Sequence, residues 1–164
     1  MADKLFFRHL VIGGTFDYLH VGHRVLLDCA FGISSKVTIG LSSDALVKTM
    51  GKATDHNFIQ RLKNLKQFLN RKYRLKKYEI VELDDRYGPA LHPKSDAIVV
   101  SEGTEKFADE CNILRVALGY PSLFKVVVPY ILAEDKGPIS STRIRKGEID
   151  AKGRLLSLDR RENR

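Results

Sequence analysis

The sequence predicts an α/β fold in which five strands form a mostly parallel, doubly wound sheet. Short apolar runs typical of buried strands recur along the chain, and apolar residues at the three-to-four spacing of helices lie between them. Strands that alternate with helices of this length build βαβ crossovers, which cover both faces of a parallel sheet. Composition agrees, because 43% of the residues are apolar and 29% are charged, as in ordinary globular domains.

The elements are predicted in order from these runs. The strands fall at 5–12, 37–41, 78–83, 97–100 and 124–128. The helices fall at 25–33, 58–69 and 107–118. Glycine and proline mark turns between them, as at Gly88-Pro89 and Gly119-Tyr120-Pro121. Residues 154–164 are predicted as a charged C-terminal tail, in which a small leucine cluster forms a short final helix.

Length and composition indicate one domain over residues 1–164, because a chain of this size can form one hydrophobic core but has too few residues for two domains. No apolar run approaches the roughly 20 residues that a membrane helix needs, so we expect no membrane-spanning segment and no membrane partner. Arg8 and His9 interrupt the early apolar stretch, which argues against a signal peptide and makes a cytoplasmic location the expectation. The two cysteines, Cys29 and Cys111, are predicted to be buried free thiols.

The formal net charge is +8, and eight basic residues without an acidic one lie between Arg61 and Lys77. Such a run could bind nucleic acid, because basic stripes supply affinity for phosphates. It could equally be a solvated helix face that raises the local concentration of small anionic substrates. Only Phe68 and Tyr73 are interleaved and both suit a core, which favours the second interpretation over a nucleic-acid-binding module.

A glycine-rich segment with two histidines follows the first predicted strand, where residues 13–23 read GGTFDYLHVGH. Glycines allow a tight turn and the close approach of a ligand, and the N-terminus of the following helix offers free N–H groups to an anion. His20 and His23 are three residues apart and can face one site. A metal site would need a further protein ligand, and none is evident nearby, so no protein-held metal is predicted. Asp17 could cap the following turn or orient a histidine.

A second polar cluster lies near the other end of the chain, where residues 139–145 read ISSTRIR. Three hydroxyl residues before two arginines suit a helix N-cap whose side chains and amides also hold phosphate oxygens. Arg143 and Arg145 are expected to neutralise the charge of a bound phosphate. Capping alone would explain the hydroxyl residues equally well.

Taken together, the two motifs resemble those of the HxGH-type nucleotidylyltransferase superfamily, which has a Rossmann-like fold. Within it, the doubled glycine at 13–14, the sequence GEID at 147–150 and the length resemble the phosphopantetheine adenylyltransferases of archaeal and eukaryotic type. The resemblance implies transfer of an adenylyl group from ATP to 4'-phosphopantetheine, which gives dephospho-coenzyme A and pyrophosphate in coenzyme A synthesis. No protein nucleophile is needed, so catalysis consists of positioning and charge stabilisation.

The resemblance also assigns roles to individual residues. The catalytic set would be His23, His20, Lys48 and Arg145. ATP would contact Gly14, Thr15, Phe16, Gly22, His23, Asn112, Ile139, Ser140, Ser141, Thr142 and Arg145. Mg²⁺ would accompany ATP with few protein ligands, as this ion usually keeps several waters.

The acceptor side departs from the bacterial pattern, because residues 101–104 read SEGT where the bacterial form carries a pair of arginines. Asn112, Arg115 and Arg61 are candidates to replace them. Family members also carry a lysine after the second strand; Lys48 is nearest by spacing and Lys52 is second. The pantetheine arm would lie near Tyr87 and Gly88. The residues expected to bind the acceptor are Thr15, Lys48, Lys52, Tyr87, Ser101 and Arg115.

The motifs leave the identity of the acceptor open. Nicotinamide mononucleotide, flavin mononucleotide or glycerol phosphate would be acceptors for other enzymes of the superfamily, which share the histidine motif. ISST at 139–142 resembles the adenylyl-transferring members more than the cytidylyl-transferring ones. Neither the oligomeric state nor feedback inhibition by coenzyme A follows from the sequence.

Overall fold

The structure, a computed structural model, describes residues 5–156 and confirms the α/β class and the five predicted strands. The strands are β1 (Phe7–Gly14), β2 (Ser34–Ser42), β3 (Lys77–Leu83), β4 (Ala97–Ser101) and β5 (Phe124–Val128). All neighbouring strands are parallel, in the order β3-β2-β1-β4-β5. A parallel sheet of this order requires helical crossovers, which the chain supplies between the strands.

Within residues 5–156, five helices connect or follow the strands. They are α1 (Val21–Ile33), α2 (Asp44–Thr49), α3 (Phe58–Lys72), α4 (Glu105–Ala117) and α5 (Ser141–Arg145). Short 3₁₀ turns lie at Gly88–Leu91 and Glu102–Thr104. Capping fixes where α1 and α3 begin: Asn57 and Gln60 form a reciprocal capping box at the start of α3, and His20 caps α1.

Both faces of the sheet are covered by apolar side chains that alternate along β1. Leu10 and Ile12 face α1 and α3, whereas Val11 faces α4. Cys111 is buried within the α4 side, and Cys29 is half-buried on α1; both are free thiols. Burial raises the pKa of both thiols, that of Cys111 to about 11, so neither is poised as a reactive thiolate.

The chain order reverses between β1 and its neighbour β4, and in an open parallel sheet this is where ligands bind, beyond the carboxyl ends of the strands. Gly14 ends β1 and Ser101 ends β4 at this edge. The glycine-histidine motif and residues 101–104 are therefore brought together by the topology alone.

The C-terminal part of the described chain packs as a small unit of its own. Ala133, Ile139 and Ile149 form a separate apolar cluster, and Leu155 makes an isolated antiparallel bridge to Ile149. The final helix predicted at the leucine cluster is wrong for Leu155 and Leu156, which are not helical, and Leu158 lies outside the described residues. No helix within residues 5–156 is long and apolar enough to span a membrane.

Candidate active site

A cleft of about 620 Å³ lies at the carboxyl edge of the sheet and is lined by both sequence motifs. One wall is the turn from β1 into α1, and the opposite wall is the entry to α5. Residues 51–54 and 129–131 complete it. Of the predicted site residues, the structure places here Gly14, Thr15, Phe16, His20, Gly22, His23, Lys52, Ser101, Ile139, Ser140, Ser141, Thr142 and Arg145.

A larger cavity of about 1350 Å³ lies on another part of the sheet and contains neither motif. Its polar side chains bond one another: the Thr38 hydroxyl donates to Glu79 Oε1 at 2.6 Å, and Thr38 Oγ1 itself lies 2.7 Å from His9 Nε2. Lys36 pairs with Glu79 at 3.0 Å. The cleft, in which polar groups converge on open space, is therefore the candidate site.

His20 serves as the N-cap of α1, and this role determines its tautomer. Its Nδ1 accepts a hydrogen bond from the backbone N–H of His23 at 3.4 Å. An accepting Nδ1 carries no proton, so in the neutral ring the proton is on Nε2. His20 is thus a hydrogen-bond donor without being charged.

His23 has the opposite tautomer. Its Nδ1 lies 3.1 Å from the carbonyl oxygen of Tyr18, which can only accept, so Nδ1 carries the proton and Nε2 a lone pair. The rings of His20 and His23 stack with their centroids 3.8 Å apart. The neutral His23 ring becomes a donor at Nε2 only when it takes up a second proton.

Burial lowers the pKa of both imidazoles. The pKa of His23 falls to about 3, mainly through desolvation and also through repulsion from His20. Desolvation lowers the pKa of His20 to about 4. Both rings are therefore neutral at pH 7 in the free protein, and an anion in the cleft would favour the charged form.

The turn before the histidines requires glycine at position 14. A Cβ there would lie 2.8 Å from the ring of Phe16, which folds back over the turn with a left-handed φ of 49°. The Phe16 ring packs 4.9 Å from the ring of His23. Glycine at position 14 therefore leaves room for the Phe16 ring, which packs against the ring of His23.

Two hydrogen bonds between Tyr18 and Ser141 join the two motifs, and in one of them the Tyr18 N–H donates to the Ser141 hydroxyl oxygen at 3.3 Å. The Ser141 hydroxyl donates to the Tyr18 carbonyl oxygen at 3.2 Å, the same oxygen that binds His23 Nδ1. Ser140 caps α5 by accepting from the N–H of Arg143 at 3.3 Å. Tyr18 and Ser141, 123 positions apart, thereby fix the position of His23 relative to the first turn of α5.

The two arginines of the second motif separate. Arg145 lines the cleft, where its Nη1 donates to the Ala53 carbonyl at 2.7 Å. Arg143 instead pairs with Asp135 and Glu148 outside the cleft. The expectation that both arginines face a phosphate is corrected accordingly, because two carboxylates already neutralise Arg143.

The two candidate lysines also separate. Lys52 borders the cleft, whereas Lys48 lies on α2 and faces a small adjoining pocket. The expectation that Lys48 is the nearer lysine is corrected by the turn after α2, in which Gly51 adopts a left-handed φ of 66°. This reversal of direction brings the next residue, Lys52, to the site.

Arg115 is not in the cleft, which overturns its predicted role with the acceptor. Its side chain is buried, and its guanidinium donates to backbone carbonyls at 2.7–3.2 Å. These belong to Ala90, His92, Ser95 and Pro121. The group ties the β3–β4 connection to the α4–β5 loop, and its nitrogens are taken up by these carbonyls.

Three further candidates likewise hold the scaffold. The Asn112 side chain bonds the backbone N–H and carbonyl of Leu123, and Tyr87 stacks on Phe107 outside the cleft. Arg61 is fully buried. Its nitrogens donate to the carbonyls of His56 and Thr15 and to the Asp44 carboxylate. None of the three presents a free group to the cleft, so their predicted contacts with ATP or acceptor are corrected.

The rest of the basic run does not reach the cleft in the part of the chain that the structure describes. It lies on the outer face of α3 and in the turn into β3, where Lys72 pairs with Asp28 at 2.7 Å. Its effect on the approach of anionic substrates stays a prediction.

A smaller pocket of about 220 Å³ adjoins the cleft behind Thr15 and contains a cation that the sequence did not single out. Arg86 lines it together with Lys52 and the hydroxyls of Ser101 and Thr104. Arg86 pairs loosely with Glu110 at 3.4 Å and lies over the ring of Phe107. The available signal was its position directly after the carboxyl end of β3.

Comparison with known proteins decides the family. Residues 11–147 match the family model described as cytidylyltransferase-like. Phosphopantetheine adenylyltransferase of Methanopyrus kandleri is 44% identical over 88% of this chain and 92% of its own. The enzyme of that name from Methanothermobacter thermautotrophicus is 40% identical over 90% of this chain and 88% of its own. The chain belongs to the phosphopantetheine adenylyltransferase family.

Solved structures agree with the fold of this phosphopantetheine adenylyltransferase family member. A protein of unknown function from Archaeoglobus fulgidus superposes with a TM-score of 0.69 at 31% identity, over 80% of this chain and 99% of that one. Nicotinic acid mononucleotide adenylyltransferase of Plasmodium falciparum superposes with a TM-score of 0.56 at 14% identity, over 93% and 87%. The second likeness concerns the fold alone.

Proposed function

We propose that the protein transfers the adenylyl group of ATP to the phosphate of 4'-phosphopantetheine, giving dephospho-coenzyme A and pyrophosphate in coenzyme A biosynthesis. The observation that carries the proposal is the cleft in which Ser141 and His23 share the carbonyl oxygen of Tyr18. It brings neutral donors, hydroxyls and Arg145 to one place, as transfer of a phosphoryl-type group requires. The names of the relatives support the same reaction.

In this reaction an oxygen of the acceptor phosphate attacks the α-phosphorus of ATP. The new P–O bond forms as the bond to the bridging oxygen of pyrophosphate breaks, and the electron pair leaves with pyrophosphate. His20 donates from Nε2–H to a non-bridging oxygen, and His23 does so after the triphosphate has raised its pKa and it has taken up a proton. Arg145 and Lys52 balance the charge that accumulates on the phosphates.

The smaller pocket behind Thr15 is the proposed acceptor site. Its walls combine apolar side chains with Lys52, Arg86 and the hydroxyls of Ser101 and Thr104. The cations suit the acceptor phosphate, and the narrow, partly apolar interior suits a slender arm with amide groups. Arg86 and Lys52 would thus replace the arginine pair of the bacterial pattern.

Magnesium enters this proposal as part of the substrate, MgATP. The buried carboxylate of the cleft, Asp17, already accepts hydrogen bonds from Asp55 and His56, so we do not propose it as a ligand of the ion. Residues 5–156 hold no group of three or more side chains suited to ligating a metal ion. The ion would therefore be held by the triphosphate and water, where it supplies charge neutralisation.

A cytoplasmic location is part of the same proposal. Both cysteines are free thiols, as expected in a reducing compartment. The proposed substrates are small anions that a basic protein attracts electrostatically.

An acceptor panel tests the proposal. We expect pyrophosphate release with ATP, Mg²⁺ and 4'-phosphopantetheine, and little with nicotinamide mononucleotide, flavin mononucleotide or glycerol phosphate. CTP in place of ATP serves as the control for the donor. Equal turnover with nicotinamide mononucleotide would contradict the assignment of the acceptor.

A further inference from the structure

The cleft rests on a buried carboxylate that the proposed chemistry does not use. Asp17 belongs to the glycine-histidine motif, yet its side chain is only 1% exposed. Burying a carboxylate is costly unless hydrogen bonds replace its water. The identity of those replacement donors indicates what Asp17 does.

All three hydrogen bonds to Asp17 come from one short segment, residues 55 and 56. Oδ1 accepts from the backbone N–H of His56 at 3.1 Å and from His56 Nδ1 at 3.0 Å. Oδ2 accepts from the backbone N–H of Asp55 at 3.1 Å. Each carboxylate oxygen is thus bonded to this loop, although Asp17 also borders the cleft.

The same loop is held from the other side of the cleft. Arg145 Nη1 donates to the carbonyl oxygen of Ala53 and lies 3.8 Å from Asp17 Oδ2. Tyr18, next to Asp17 in the chain, donates from its hydroxyl to Asp55 Oδ2 at 2.7 Å. Residues 53–56 are thus bonded both to the histidine turn and to α5.

This loop forms a wall of the cleft. Ala53 and Thr54 line it, and Lys52 directly precedes them. A shift of the loop would therefore move Lys52 and the carbonyl that holds Arg145 at the same time. His56 faces the small pocket next to α2 and does not line the cleft itself.

We propose that Asp17 is a positioning residue, whose carboxylate anchors residues 53–56 between the histidine turn and α5 and so places Arg145 and Lys52 against the substrate phosphates. The proposal rests on the proposed adenylyl transfer. It makes Asp17 and Arg145 parts of one unit, so removal of either disturbs the same contact. Energetic coupling between the two is its distinguishing consequence.

A double-mutant cycle tests this coupling. Asp17→Asn keeps the size of the side chain but removes one acceptor and the negative charge; we expect a loss of about 10²-fold in kcat, as for a catalytic group displaced by about 1 Å. Asp17→Asn added to Arg145→Gln should lower kcat by less than about tenfold relative to Arg145→Gln alone, well short of its effect in the wild type, because only Lys52 is then left to be displaced. Asp28→Asn removes a carboxylate on α1 that is bonded to Lys72 and Tyr73, and should leave kcat unchanged.

A second variant guards against simple loss of folding. His56→Ala deletes one side-chain donor and leaves both backbone hydrogen bonds to Asp17; we expect kcat to fall about tenfold, in line with one charged hydrogen bond. His56→Asn, whose amide is a donor, should recover part of this loss. Thermal unfolding of every variant shows that the assay temperature lies below its transition.

The outcomes separate the two proposals. Losses in kcat that multiply in the double variant, or an Asp17→Asn protein that is folded and fully active, would refute the positioning role. Lack of wild-type activity with 4'-phosphopantetheine would refute the proposed function instead. In that case the same cycle is measured as the Kd of a non-hydrolysable ATP analogue, where coupling between Asp17 and Arg145 is again expected.

Discussion

The buried arginine in the scaffold and the arginine in the cleft differ in what their nitrogens bind. Arg115 donates to four backbone carbonyls and is shut off from solvent. Arg145 donates one hydrogen bond, to the Ala53 carbonyl, lies 3.8 Å from the Asp17 carboxylate, and also lines the cleft. The comparison teaches that a guanidinium surrounded by carbonyls stabilises the fold, whereas one with few partners at a cleft is available to a ligand.

The largest effect predicted from this comparison is on stability. Arg115→Met should lower the free energy of unfolding by about 3–5 kcal/mol, because several buried carbonyls lose their donors together. The folded fraction should keep its kcat. Urea unfolding measures the loss, and Lys106→Met, on the exposed side of α4, is the control. If the variant had normal stability but a low kcat, Arg115 would act in catalysis and not in stabilising the fold.

The next effect is the converse, a loss of activity without a loss of stability. His23→Ala should lower kcat by about 10²-fold or more, like the removal of one transition-state donor. Its thermal midpoint should stay near that of the wild type. His92→Ala, at an exposed histidine beside the other cavity, should change neither quantity. An unaffected kcat in His23→Ala would remove the histidine from the mechanism.

A smaller effect distinguishes the two lysines. Lys52→Gln should lower kcat/KM for the acceptor about tenfold, as the loss of one charged hydrogen bond would. Lys48→Gln should change it by less than about twofold, within the range of surface substitutions. Steady-state kinetics with each substrate varied in turn provides the measurement. The reverse ranking would restore Lys48 as the lysine at the phosphates.

The smallest effect is a pH dependence of ATP binding. His23 has a pKa of about 3 in the free protein, and a bound triphosphate raises it, so binding takes up protons. ATP affinity should therefore rise as pH falls from 8 to 6, by about threefold over the two units, because only a fraction of one proton is taken up. Calorimetry in two buffers with different ionisation heats measures the uptake. The pH dependence of ATP affinity should be smaller in His23→Ala than in the wild type.

Much of the architecture was predictable because it follows from local patterns. The five strands appear as apolar runs, and the parallel order then brings Gly14 and Ser101 to one edge. The histidine turn was evident because glycines and two imidazoles at that spacing have few structural uses. Its partner, residues 139–145, became informative only in combination with it.

The roles of the cations were not predictable to the same degree. Arg115 and Arg145 are the same residue type, and only tertiary contacts show that one is saturated by carbonyls and the other is not. Counting positions favoured Lys48, because a sequence does not reveal that Gly51 reverses the chain with a left-handed φ. Arg86 was missed because its neighbourhood is formed by residues far away in the chain.

The mechanism is tested most directly by the stereochemistry at the α-phosphorus. Direct attack by the acceptor phosphate, with His20, His23 and Arg145 only stabilising charge, is a single in-line displacement. ATP made chiral at the α-phosphorus should therefore give dephospho-coenzyme A with inverted configuration and no labelled protein. Retention of configuration, or an adenylylated residue trapped on the protein, would contradict direct transfer in this cleft.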